Sequence, residues 1–152
     1  MLLEHAESLA ISLMIEHNIY QRGWKFKFDN AKRRFGVCKQ RSKVISLSQH
    51  LVLLNEIEQV RDTILHEIAH ALTPGHGHDY VWKQKAEEIG CKPFRCYSSK
   101  EVATPKSKYE AVCVGCNYVH KRHRKAKRST SCGHCSGGKY NPTFKLEFKL
   151  TH

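Results

Sequence analysis

The chain has 152 residues, 7 cysteines and a formal net charge of +12, from 26 Lys and Arg against 14 Asp and Glu. That length accommodates one modest hydrophobic core and a small metal-stapled module. No apolar run is long enough to span a bilayer, and no N-terminal segment has a signal-peptide layout. The basic balance, with a pI near 9.5, suggests a polyanionic partner, most often nucleic acid.

In chain order, residues 2–18 carry Leu3, Ala6, Leu9, Ala10, Leu13 and Met14 at helical spacing, which predicts a helix with one apolar face. Trp24, Phe26 and Phe28 then alternate with Lys25, Lys27 and Asp29, the pattern of a half-buried strand whose aromatics enter the core. Asp29-Asn30-Ala31-Lys32 reads as a turn, 34–38 as a second strand and 43–47 as a third. Ser48 can cap a short helical segment ending near Leu54. Asn55, with Glu58 three residues on, has the capping-box pattern for a longer helix over 56–72.

That longer helix contains His66-Glu67-Ile68-Ala69-His70. Two imidazoles four residues apart share a helical face, one turn from each other, so both can reach one ion. The carboxylate beside the first histidine then stands where a general base for a zinc-activated water is wanted. The same five letters also arise by chance on solvated helix surfaces. Here Ile64, Leu65, Ile68, Ala69, Ala71 and Leu72 wrap the helix in apolar side chains, which marks it as buried. His and Glu inside a buried helix are costly unless something satisfies them, and a metal does so. The motif therefore predicts a Zn²⁺ site for peptide hydrolysis, with His66 and His70 as ligands and Glu67 as the catalytic base.

A third ligand should follow closely. Pro74, Gly75 and Gly77 end the helix and turn the chain, and both His76 and His78 qualify. His76 matches the last histidine of H-E-x-x-H-x-x-G-x-x-H, although Thr73 stands where that pattern has glycine. His78 opens a second helix, over 79–89 and ending at Gly90, and would point back at the metal from its first turn. Asp62 is either an orienting partner of a ligand histidine or a surface charge. Tyr80 is a candidate oxyanion donor.

Residues 98–108 include Ser98, Ser99, Thr104, Pro105 and Ser107 and read as a linker. Beyond them Cys113 and Cys116, then Cys132 and Cys135, form two C-x₂-C pairs separated by fifteen residues, the spacing of a four-cysteine zinc ribbon. Gly115 and Gly133 would relieve crowding where the chain turns beneath the metal. The odd cysteine count favours a reducing compartment, where such pairs bind metal instead of forming disulfides. Cys38, Cys91 and Cys96 read as buried or free thiols. Between the pairs lie Lys121, Arg122, Arg124, Lys125, Lys127 and Arg128, with His120 and His123 interleaved and Tyr118 and Tyr140 on either side. A basic run is often a solvated loop. Projected from a ribbon and flanked by aromatics, it predicts phosphate contact and base stacking, with single- or double-stranded DNA as the partner. The four thiolates on one Zn²⁺ offset part of the positive charge. Residues 143–150 alternate and read as a closing strand.

The combination H-E-I-A-H-A-L, then G-H-G-H, then Trp82 four residues after His78 resembles the SprT-like zinc metalloproteases, a family that includes proteases of DNA–protein crosslinks. In that family the third ligand is a histidine followed four residues later by Trp or Phe. The resemblance therefore implies His78, because His76 would put Tyr80 in the aromatic's place. Some members carry a zinc ribbon after the protease domain, so the resemblance covers nearly the whole chain.

These readings combine into an α+β fold. A zincin-like metalloprotease domain with a small antiparallel sheet occupies 1–98, a linker 99–108, and a zinc ribbon 109–152. Two Zn²⁺ ions are expected, one catalytic and one structural. The expected activity is hydrolysis of peptide bonds in protein substrates, which the resemblance places at DNA, DNA-crosslinked proteins included. No membrane partner is expected. The chain is expected to be a monomer, cytoplasmic or nucleoid-associated (nuclear in a eukaryote), and not secreted. One alternative is a transcription-related nucleic-acid-binding protein whose zincin site is vestigial or structural. Another is a metalloprotease whose basic region docks a protein. The intact Glu67 favours hydrolysis, since a structural zinc has no use for it.

Overall fold

The computed structural model describes residues 1–98 and 100–151. They fall into two units, Met1–Pro105 and Lys106–His152. In the first, strands β1 (Lys25–Asp29), β2 (Gly36–Lys39) and β3 (Val44–Ser48) form a sheet in the order β1-β3-β2. All of β3 is buried. The most apolar strand thus takes the centre, where both faces are covered. β1 pairs with it in parallel, Lys25 opposite Val44, and β2 pairs with it antiparallel, Gly36 opposite Leu47. The sheet is therefore mixed, not the purely antiparallel one expected, because the chain leaves β1, passes to the far edge and returns through the β2–β3 hairpin into the gap.

Helix α1 (Leu3–Glu16) buries Ala6, Ala10, Leu13 and Met14. The long helix α3 (Ile57–Leu72) packs on α1, β2 and β3 and buries Val60, Ile64, Leu65, Ile68, Ala69 and Ala71. Each large aliphatic side chain buried here contributes about 1.5–3 kcal/mol. Ser48 does cap the short helix α2 (Gln49–Leu54), its hydroxyl accepting the Leu51 N–H at 3.2 Å. The cap of α3 lies one residue later than expected. Glu56 and Gln59 form the reciprocal box, and neither Asn55 nor Glu58 takes part. Asn55 is instead buried and holds a distant segment. Its Nδ2 donates to Ala103 O and its Oδ1 accepts the Ala103 N–H, both at 2.8 Å. With Val102 buried beside it, the start of the expected linker belongs to the first unit. The expectation at Ser99 lies outside the described residues. Helix α4 (Tyr80–Glu88) completes this unit.

The second unit has a sheet in the order β5-β4-β6, made of β4 (Tyr109–Val112), β5 (Val119–Arg122) and β6 (Lys149–Leu150), all antiparallel. Its core is small: Ala111, Cys113, Cys132 and Leu146, with Phe144 and Phe148 against them. The alternating stretch 143–150 forms a strand only at its last two positions. Pro142 starts a 3-10 turn over Pro142–Phe144 instead, and the chain then hydrogen-bonds across to Thr130 and Cys132, turning Leu146 into the core. Among the described residues, no helix is long and apolar enough to cross a membrane.

Candidate metal centres and the cleft around the first

The last turns of α3 present His66 and His70 on one face. The helix stops at Thr73, whose hydroxyl donates back to Ala69 O at 2.7 Å, and Gly75 turns the chain at φ +82°. Asp79 then serves two purposes. Its Oδ1 accepts the Trp82 N–H at 3.1 Å, capping α4, and its Oδ2 lies 2.8 Å from His76 Nδ1. Between these fixed points His78 is aimed back at α3. Its Nε2 lies 3.0 Å from His66 Nε2 and 3.1 Å from His70 Nε2. His76 is outside this cluster, exposed and engaged with Asp79.

The donor set fits a zinc ion. A single proton on His78 Nε2 serves one neighbour and leaves the other N···N contact without a hydrogen. An ion at the common centre removes that conflict, since tetrahedral Zn–N bonds of about 2.0–2.1 Å put ligand nitrogens roughly 3.3 Å apart. The rings are also held in the neutral, ligating form. Burial, then repulsion from His70 and His78, pushes His66 down to about 3. Burial and His78 take His70 down to about 4, against a smaller upward pull from the His76 main chain and Asp79. Burial, then the charge of Arg95, lowers His78.

Glu67 is buried on the same helix, one residue from His66. Burial pushes its carboxyl up to about 8, and the Arg34 guanidinium pulls the other way. β2 crosses directly over it. A Cβ at Gly36 would stand 3.2 Å from Glu67 Cγ and 2.9 Å from Leu47 Cδ2, so glycine is what lets strand and helix approach. Trp82 is fully buried beneath the histidines, with ring centroids 4.6, 5.2 and 4.7 Å from those of His66, His70 and His78.

A cleft of about 1770 Å³ opens over these residues. Its walls are β2 with the segment leading into it, the outer face of α3, and residues 92–102. That last wall is tied down at several points. The Lys92 N–H donates to Asp62 Oδ1 at 2.9 Å, the Tyr97 hydroxyl donates to Arg33 O at 3.0 Å, and Asn55 holds Ala103. Asp62 thus anchors the wall and orients no histidine. Tyr80 is 72% exposed, its hydroxyl accepts from Gln84 at 2.8 Å, and it does not line the cleft, so it is no oxyanion donor here. Sequence reasoning overlooked the roles of Gly36, Asn55 and Tyr97. A glycine inside a strand pattern was the one available signal.

The SprT-like family model matches residues 9–104. The chain belongs to the SprT-like family. This SprT-like chain is also similar to two solved structures, both described as metallopeptidase zymogens. The jannalysin zymogen of Methanocaldococcus jannaschii has 17% identity and a TM-score of 0.49, with 63% of this chain and 85% of that one covered. The abylysin zymogen of Pyrococcus abyssi has 21% identity and a TM-score of 0.47, with 55% and 78% covered. No curated protein sequence matches the chain.

The second unit of this SprT-like chain brings Cys113, Cys116, Cys132 and Cys135 together. Cys113 and Cys135 Sγ are 3.7 Å apart, as are Cys116 and Cys132 Sγ. Disulfide sulfurs would be at about 2.05 Å. Four thiolates around Zn²⁺ at about 2.3 Å stand roughly 3.8 Å apart, so this cluster also fits zinc. The Cys116 main chain, with Gly115, donates to Cys113 and lowers its thiol to about 7 despite burial. Gly115 is sterically required, since a Cβ would lie 2.7 Å from Phe144 Cε1. Gly133 has open space around it, so the crowding expected there is absent. Of the basic run, Lys121, Arg124, Lys125, Lys127 and Arg128 are exposed. Arg122 is half-buried, with its guanidinium 4.5 Å from the Phe148 ring centroid, and it helps hold the small core. Tyr118 and Tyr140 are exposed.

Proposed function

We propose that this protein is a zinc-dependent peptidase acting on proteins at DNA, crosslinked ones included, and that its ribbon carries the DNA binding. The observation that carries the peptidase reading is the convergence of three imidazole nitrogens beside a buried carboxylate at the floor of an open cleft. Family membership supports it. In this reading His66, His70 and His78 hold one Zn²⁺, and the four ribbon cysteines hold a second that staples the small core.

Zinc, when bound at the histidines, supplies Lewis acidity that polarises a carbonyl and acidifies water. Glu67 takes the proton from the attacking water on a carboxylate oxygen. The low-polarity surroundings of Gly36 and Leu47 keep bulk solvent from competing for it. Glu67 then returns that proton to the leaving amine. Trp82 holds the three rings in place from below. The DNA arm is supported by five exposed cations and two exposed tyrosines on the ribbon.

The test is cleavage of a DNA-binding protein with and without DNA, beside Glu67→Gln, with metal analysis of both preparations. The expected result is about two Zn per chain, cleavage stimulated by DNA, and none in Glu67→Gln, whose metal content stays the same. Proteolysis persisting in clean Glu67→Gln would remove the mechanism. Cleavage indifferent to DNA would remove the recruitment arm alone.

A further inference from the structure

The charge of the cleft is not used by the proposed chemistry. Arg33, Arg34, Arg61, Arg95 and Lys100 all line it. The lining carboxylates are largely committed elsewhere. Asp62 accepts the Lys92 N–H, Glu101 lies 3.5 Å from Lys92 Nζ, and Glu67 is buried. A ligand entering this space meets a surplus of guanidinium and ammonium groups.

Two of the cations are placed at the centre. Arg34 is fixed by a short relay. Its Nη1 lies 2.9 Å from Asp29 Oδ2, and Asp29 in turn accepts from the buried Ser46 hydroxyl at 2.6 Å and from the Ala31 N–H at 2.9 Å. This leaves most of the guanidinium's five donors unused, on a side chain already immobilised. Its charge bears on Glu67. Arg95 sits in the anchored wall, has no ion pair among the described residues, and bears on His78. One guanidinium thus stands at the Glu67 end of the histidine cluster and the other at the His78 end.

We propose that the cleft selects acidic peptide segments, with Arg34 and Arg95 each receiving a substrate carboxylate on either side of the bond to be cut. The proposal rests on the peptidase reading and names the substrate class of that site. Guanidinium–carboxylate contacts are charge-assisted and frequently bidentate. A guanidinium already held by Asp29 loses little further freedom on binding. The contacts are worth about tenfold in affinity for each arginine.

The test measures binding, so it does not depend on turnover. Fluorescent peptides identical except for Asp and Glu, or Asn and Gln, at the flanking positions are titrated by anisotropy into zinc-loaded full-length Glu67→Gln protein. The acidic peptide is expected to bind at least about tenfold more tightly. That ratio should fall in Arg34→Gln and in Arg95→Gln, approach one in the double variant, and recover in part in Arg34→Lys. Both side chains are exposed, and circular dichroism checks that the variants fold. Equal affinities for the two peptides in the starting protein would overturn the proposal. So would an unchanged ratio in the double variant, which would assign the preference to the general charge of the chain. Failure of the peptidase reading shows separately, as absence of cleavage of any peptide by protein with Glu67 intact, and leaves these ratios as they are.

Discussion

The Trp82 indole lies against the His70 imidazole with centroids 5.2 Å apart and planes only 24° from parallel. It also donates from Nε1 to the His66 carbonyl at 3.4 Å and has no exposed surface. One side chain therefore packs beneath all three histidines and joins α4 to α3. Trp82→Ala should cost about 3–5 kcal/mol of stability through the cavity it leaves. It should also weaken zinc binding at the histidines by roughly 10–100-fold, the range for lost outer-shell support. Urea denaturation and chelator competition measure the two effects. Unchanged zinc affinity would reduce Trp82 to a core residue.

His76 and His78 should separate cleanly. His78→Ala removes a nitrogen 3.0 and 3.1 Å from its two partners and should release the zinc of the first site, halving the metal content of the purified protein. His76→Ala removes only the hydrogen bond to Asp79 and should leave two ions per chain, with a small loss of stability at the start of α4. The reverse pattern in metal analysis would make His76 the ligand.

The Asp29 carboxyl predicts a pH dependence of stability. Burial raises its pKa, but hydrogen bonds from Ser46, the Ala31 N–H and Arg34, with the Arg34 charge, outweigh it and leave it below the ordinary 3.8. A group depressed on folding stabilises fully above its unfolded pKa, and the stabilisation fades as pH falls through the folded one. Asp29→Asn should therefore lower the urea midpoint at pH 7, and the gap to the parent protein should shrink as pH drops below 3.8. A gap that stays constant down to acid pH would show that the charge contributes nothing.

The basic run of the ribbon should read phosphate and not sequence. Neutralising Lys121, Arg124, Lys125, Lys127 and Arg128 together should lower DNA affinity on all sequences alike. It should also flatten the salt dependence, by about 0.9 for each phosphate no longer neutralised on duplex and about 0.7 on single strands. Arg122→Gln is expected to act differently, loosening the ribbon by removing the guanidinium from Phe148. Titrations with both kinds of oligonucleotide at several salt concentrations decide this. Equal slopes for parent and variant would mean that the run is a solvated surface.

Much of the molecule follows from local pattern. The spacing of His66 and His70, the apolar wrap of α3, the two C-x₂-C pairs and the caps at Ser48 and Asp79 are short-range features, each set within about one helical turn or one knuckle. Residues this close in sequence interact almost wherever the chain goes, so reading them needs no knowledge of the fold. The metal helix was legible for this reason, although its cap fell on Glu56 and not Asn55, since both residues stand within reach of the first turn and only tertiary demand assigns them. Once Asn55 was needed by Ala103, 48 residues away, Glu56 was left to cap.

The tertiary structure alone decided what depends on distant pairs. It placed β3 between β1 and β2, making the sheet mixed, because burial on both faces outweighs chain order. It brought Gly36 over Glu67, turned Asp62 toward Lys92, left Tyr80 in solvent and sent Tyr97 across to Arg33. It also pulled the expected linker onto Asn55 and bent 143–150 away from a full strand. Each of these pairings closes a loop, and its entropic cost is met only when the whole core assembles around it. Short-range spacing thus specified the chemical groups of the site, while packing across the core specified the walls that surround them.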